Sequence, residues 1–500
     1  MKRQTLRSAL ATTVLFAATA LAWTVAPGQA HAEPECLNSS NDFDMDGVVD
    51  IAVGLPGANN GAGAVQVQLS NDGDPTTSII DAPAGAAGDR FGTAIAEVAS
   101  AEGEVDQDRC TQLAVGAPGR DVGGNQDAGA VFLFKWDSSA DEFVSLNEFT
   151  QGSDGVPGQA SAGARYGAAL AAPHHADDIG PLVTPLFVGA PGYPAAGQEG
   201  AGAVTRLEFS TGTEDPTVDD GLLLQQGANG MPGTSEAGDG LGTSLAVTDG
   251  GVLMGVPYED VAGESEADAG GFIRWRANDS GDAKFITQNT ANVPGSAEAG
   301  DRFGAAIYSA RETTPSGGGH YVVVGAPGEA IGSVNNAGMA LRFVYDGDLE
   351  LAKTKAFHQN STGVVGRPEA GDRFGSSFGS FGLAHLLTGV PGEDIGSIRN
   401  AGAVQSLGGG QGWNQDTQGV PGTAEARDRF GATMGNALYG MGSAGEDGWL
   451  GDVLVGTTGE NDGAGVVIDG LPGGPAPSKP LKSQSPAAGN NFGAAIGKTN

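Results

Sequence analysis

Cysteine is nearly absent from this chain: Cys36 and Cys110 are the only two in 500 residues. No thiol pair has the short spacing of a metal site. Basic residues are scarce, with 25 Lys and Arg against 60 Asp and Glu, and the net charge is −35. No basic patch is available for a nucleic acid, and an anionic membrane surface is disfavoured for the same reason. Aromatic residues make up only 6%. No HExxH pair and no Walker loop occurs, and no apolar run of spanning length follows the first 25 residues.

What is there begins with an export signal. Lys2, Arg3 and Arg7 precede an apolar run, and Ala30-His31-Ala32 closes it. This order predicts a signal peptide over 1–32 and a secreted, extracellular mature chain over 33–500. Both cysteines fall in the mature part, where one Cys36–Cys110 disulfide is the simplest reading and two free thiols the alternative. Glycine is abundant, 86 of 500 residues. Such a composition suits short strands joined by tight turns and argues against long helices.

The chain repeats itself. One half-motif reads "DRFGTAI" at Asp89, "ARYGAAL" at Ala164, "DGLGTSL" at Asp239, "DRFGAAI" at Asp301, "DRFGSSF" at Asp372, "DRFGATM" at Asp428 and "NNFGAAI" at Asn490. The other reads "VGLPG" at Val53, "VGAPG" at Val115, Val188 and Val324, "MGVPY" at Met254, "TGVPG" at Thr388 and "VGTTG" at Val455. The spacing is roughly 56 to 75 residues. An apolar strand that runs into glycine and proline must stop and turn. A returning strand such as "AGAVFLF" follows, and a further element such as "LLLQQGANGMPG" precedes most Phe-Gly units. Four short strands in each of seven units predict an all-β fold, a seven-bladed β-propeller. The mature chain opens on a Gly-x-Pro half and finishes on a Phe-Gly half. The C-terminal strand therefore completes the first blade.

These alternating units resemble the FG-GAP repeats of the integrin α-subunit propeller and of bacterial secreted proteins that carry them. Tyr166, Leu241 and Thr457-Thr458 depart from the pattern. In "DFDMDGVVDIAVGLPG" at Asp42, alternate residues of a tight loop offer oxygens, as calcium requires. Asp42, Asp44 and Asp46 point one way, Gly47 permits the turn, Val48 offers its carbonyl, and Asp50 closes the shell. An EF-hand needs Glu where Val53 stands. The loop instead resembles the D-x-D-x-D-G-x-x-D loop of FG-GAP blades, which implies Asp42, Asp44, Asp46 and Asp50 as Ca2+ ligands. The same alignment puts Cys110 at the position of Val48 in the neighbouring blade, in support of the disulfide.

Weaker candidates are Glu104, Asp106 and Asp108 in the second blade, Glu446, Asp447 and Asp452 in the seventh, and "HHADD" at His174. A GxSxG match spans Gly375–Gly379, on a Phe-Gly strand rather than before a helix, as a nucleophile elbow requires. His320, His358 and His385 are isolated. The resemblance implies a monomeric, calcium-binding adhesion module for an extracellular protein or glycan, without enzymatic activity. The alternative is a secreted hydrolase, esterase or phospholipase-like.

Overall fold

In the computed structural model, the described residues are 41–44, 46, 48–70, 75–99, 111–173, 185–209, 216–248, 251–261, 264–276, 282–312, 319–345, 351–381, 385–438, 451–474, 478–481, 483–484 and 487–496. All belong to one compact unit, Glu35–Asn500. The signal peptide, both cysteines and the candidates Glu104, Asp106, Asp108, His174, Glu446 and Asp447 lie outside the described residues.

Seven antiparallel sheets of four strands each make the architecture of a seven-bladed β-propeller. The fifth blade is representative. Its strands, from inside outward, are Ala306–Glu312, Gly319–Ala326, Met339–Tyr345 and Leu351–Phe357. The second strand of a blade has an apolar core, as in Leu186–Ala190, where every residue is buried. A strand covered on both faces has no use for alternation. The outermost strands carry exposed polar residues, as in Thr76–Asp81, where Ile80 alone is buried, because one face meets water.

The first blade is built from both ends of the propeller. Ala495–Ile496 pairs antiparallel with Ile51–Leu55, setting Val53 against Ile496 and Gly54 against Ala495. The predicted closure by the C-terminal strand is therefore observed.

Both half-motifs lie at the seams between blades. The aromatic position is fully enclosed in every repeat: Phe91, Tyr166, Leu241, Phe303, Phe374, Phe430 and Phe492 are all 0% exposed. The N–H of each donates to an alanine carbonyl of the preceding blade, from Phe91 to Ala62 at 3.0 Å through to Phe492 to Ala464 at 3.2 Å. The same bond at the last seam shows the ring to be continuous. At each seam a glycine of one blade also meets the Phe-Gly carbonyl of the next. A Cβ on Gly325 would lie 1.9 Å from the Gly375 carbonyl oxygen. Only glycine permits that approach.

Candidate functional site

The ring encloses a central cavity of about 210 Å3, lined by the residues that follow Phe-Gly in all seven repeats. Its hydroxyls are committed to the backbone. Thr93, Thr243 and Ser376 each donate to a carbonyl three residues earlier. Ser244 and Ser377 donate to Gly304 and Gly431 of the next blade, both at 2.7 Å. Thr433 does the same to Gly493. No carboxylate, imidazole or amine is among the lining residues. This also settles the GxSxG match: Ser377 stitches two blades together, and the strand Phe378–Phe381 follows it rather than a helix. His358 Nδ1 accepts the N–H of Asn360 at 3.2 Å, and His385 is exposed at the start of its strand.

The acid loop lies at the edge of the first blade, just before the strand Ile51–Leu55. Carboxylate oxygens of Asp42, Asp44 and Asp50 fall within 4.8 Å of one another. Asp42 and Asp50 are buried, and Asp44 is half-buried. The loop is wound around its own acids. Asp50 accepts the N–H of Phe43 at 2.7 Å and of Ser70 at 2.8 Å. The N–H of Asp46 points to Asp42 Oδ1 at 3.1 Å and Asp44 Oδ1 at 3.3 Å. Asp46 itself is exposed, outside the group of three, with its Oδ1 accepting the N–H of Val48 at 2.8 Å. Burial, then the charges of Asp46 and Asp42, push the Asp44 carboxyl up to about 6. Burial pushes Asp50 up to about 8, and the charges of Asp44 and Asp42 add to this against the Phe43 and Ser70 N–H groups.

The donor set fits calcium. Ca–O bonds of about 2.3–2.6 Å place oxygens on one ion within about 5 Å of each other, which is the spread seen here. All-oxygen donors with several carboxylates are the chemistry of a hard divalent cation.

A fourth acid was not legible from the loop's own sequence. Glu97 comes from the inner strand of the second blade, Ala94–Ala99. Its carboxylate accepts the backbone N–H of Asn41.

Other acids meet in a repeating arrangement that the motif reading missed. In four blades the Asp before Phe-Gly faces a Glu after the Gly-x-Pro turn: Asp239 with Glu259, Asp301 with Glu329, Asp372 with Glu393 and Asp428 with Glu460. A glutamine closes each pair by donating to the Glu, as Gln226, Gln288, Gln359 and Gln415 do at 2.6–2.7 Å. In the second blade Arg120 stands in the Glu position and binds Asp89 at 2.8 Å. Four copies around a ring mark a structural device, since a reaction centre need be built only once.

These pairs set a pH dependence. Burial, then the charge of Asp372, pushes Glu393 up to about 7 from an ordinary value of 4.5. A folded-state value above the unfolded one means stability that is fully present below about pH 4.5 and lost as pH rises through 7. Glu393→Gln is expected to melt with wild type at pH 5 and above it at pH 8. Equal melting at both pH values would count against the protonated pair.

No family model matches the chain, and no curated protein matches it. Among solved structures it is similar to a "putative 6-phosphogluconolactonase" from Bacteroides fragilis, at 12% identity and a TM-score of 0.45, over 90% of this chain and 98% of the other. It is also similar to a protein of the same description from Bacteroides uniformis, at 12% identity and a TM-score of 0.38, over 87% of this chain and 97% of the other. At this identity the likeness is one of fold and assigns no reaction.

The expectation of a non-enzymatic adhesion module is withdrawn: the two propellers found are named for an enzyme, which is said of those proteins and assigns no reaction to this chain, and the repeats that suggested adhesion do not carry it. The physical reason is that the Phe-Gly side chains and the first glycine of each Gly-x-Pro half, which carry the integrin resemblance, are packed into the seams. They hold blades together and carry no information about what the surface binds.

Proposed function

We propose that the chain is a calcium-holding β-propeller of the FG-GAP type, with Asp42, Asp44 and Asp50 as side-chain ligands and Asp46 and the Val48 carbonyl on the same loop. The observation that carries this reading is the approach of three carboxylates, two of them buried, to within 4.8 Å. When bound, calcium supplies the positive charge that offsets their mutual repulsion. The chain's own part is to fix the ligands in advance. Asp50 is held by Phe43 and Ser70, and Phe43 is anchored edge-on against Phe143 of the second blade at 5.7 Å.

With adhesion set aside, the function class proposed is the sequence alternative, hydrolysis of an ester or phosphodiester by the exported chain. A panel of esters, lactones and phosphodiesters, run with and without chelator, tests this class. Turnover supports it, and a purified, calcium-loaded protein inert on the whole panel counts against it.

Calorimetry tests the metal reading. Wild type should show one dominant calcium site, and Asp44→Ala should lose it. Calcium at about 100 times its Kd should add about 2.7 kcal/mol of stability, read as a higher melting temperature that chelator reverses. A titration unchanged in Asp44→Ala would remove the assignment.

A further inference from the structure

Glu97 meets the aspartate loop from another part of the ring. It belongs to the second blade, yet its carboxylate holds the backbone N–H of Asn41, the residue just before Asp42, and feels the Asp42 charge. Its Oε2 is closed to solvent and has no hydrogen-bond partner, although the residue as a whole is only half-buried. An enclosed carboxylate oxygen without a donor is costly. The N–H groups of Phe43, Asp46 and Val48 are already directed to Asp42, Asp44, Asp46 and Asp50. Glu97 stands outside the three carboxylates that converge within 4.8 Å, so it is placed as an outer partner rather than a direct ligand.

We propose that Glu97 is the outer carboxylate of the cation site, holding Asn41 so that Asp42 is set for the ion and adding a negative charge from the second blade. The proposal rests on the reading of the Asp42–Asp50 loop as a cation site. Residues around a metal's direct ligands orient them and tune their affinity. Here the outer partner comes from a different blade, so cation binding ties the first blade to the second. Glu97 is a positioning residue, and its charge is the property to test.

Calorimetry on the full chain with calcium and with terbium(III) separates the possibilities. Glu97→Gln keeps the shape of the side chain and an acceptor for Asn41, and removes only the charge. Calcium affinity should fall about 10- to 100-fold. Terbium affinity should fall further, because a trivalent ion loses more from one missing negative charge. Unchanged affinities in Glu97→Gln, with binding still abolished in Asp44→Ala, overturn the role of Glu97 and leave the loop site standing. Unchanged binding in Asp44→Ala removes the loop site and this role together. If Glu97→Gln fails to fold, hydrogen exchange on wild type decides. Calcium should slow exchange at Asn41 and along Ala94–Ala99, and protection confined to residues 42–50 overturns the proposal.

Discussion

A chain ending at Ala488 is expected to lose cooperative folding altogether, although it lacks only the last twelve of 500 residues. Those residues carry the inner strand of the first blade. Phe492 is 0% exposed, and it packs with Ile496 against Ile51, Val53 and Leu55 of the first blade and Leu454, Val467 and Leu481 of the seventh. Removing one such aromatic from a core costs about 3–5 kcal/mol. The truncation also breaks Gly57 N–H to Asn490 O and Gly493 N–H to Gly54 O, both 3.1 Å, and the Phe492 to Ala464 bond. The first blade would then show the seventh an open edge, a template for association. Losses of this size are comparable to the 5–15 kcal/mol that holds a typical domain together. Thermal melts followed by near-ultraviolet dichroism read the outcome. A truncated protein that melts like the full chain contradicts ring closure. Phe492→Ala is the milder form of the same test, expected to cost about 3–5 kcal/mol by urea denaturation.

Gly325→Ala should be nearly as damaging, at about 3 kcal/mol or more, for a purely steric reason. Gly325 lies within the strand Gly319–Ala326. A methyl there lands 1.9 Å from the Gly375 carbonyl oxygen and 3.0 Å from its carbon. The obstacle is backbone, so no rotamer change can relieve it, and the fifth and sixth blades must part. Gly332→Ala is the control. Its φ is +67° and nothing lies within 4 Å of the added Cβ, so its cost is that of the left-handed backbone alone, about 1–2 kcal/mol. Urea midpoints of the two variants separate space from conformation. A Gly325→Ala protein no less stable than Gly332→Ala would mean that the seam is looser than described.

The architecture was legible because each repeat states it twice. "DRFG" and "GAPG" recur, and each requires the same contact wherever it stands: an enclosed aromatic and a glycine against a neighbouring carbonyl. Leu241 fits for the same reason, since the position asks for an enclosed apolar side chain and not for aromaticity. The Pro-rich stretch after Leu471 connects Val466–Asp469 to Lys479–Leu481 within the seventh blade.

The acid loop was legible as a cluster because alternation in a short run brings Asp42 and Asp44 together locally. Glu97 was not, because its approach depends on two blades meeting, which no local pattern encodes. The Asp–Glu–Gln sets were in plain view. Gln226, Gln288, Gln359 and Gln415 recur at one place before the Phe-Gly units of four blades, and Glu329 and Glu393 directly follow a Gly-x-Pro-Gly turn. What hid them is that the three residues are far apart in sequence and meet only when the blade is assembled. Function was the least legible, since the residues that repeat are the ones sealed in the seams.

The central claim is that the Asp42–Asp50 loop of a closed propeller holds calcium. It is tested most directly by a crystal structure grown in calcium and measured for anomalous scattering. The account predicts one strong peak at bonding distance, about 2.3–2.6 Å, from carboxylate oxygens of Asp42, Asp44 and Asp50. Density at that position without an anomalous signal, or a loop whose three carboxylates have turned away from one another, would contradict it.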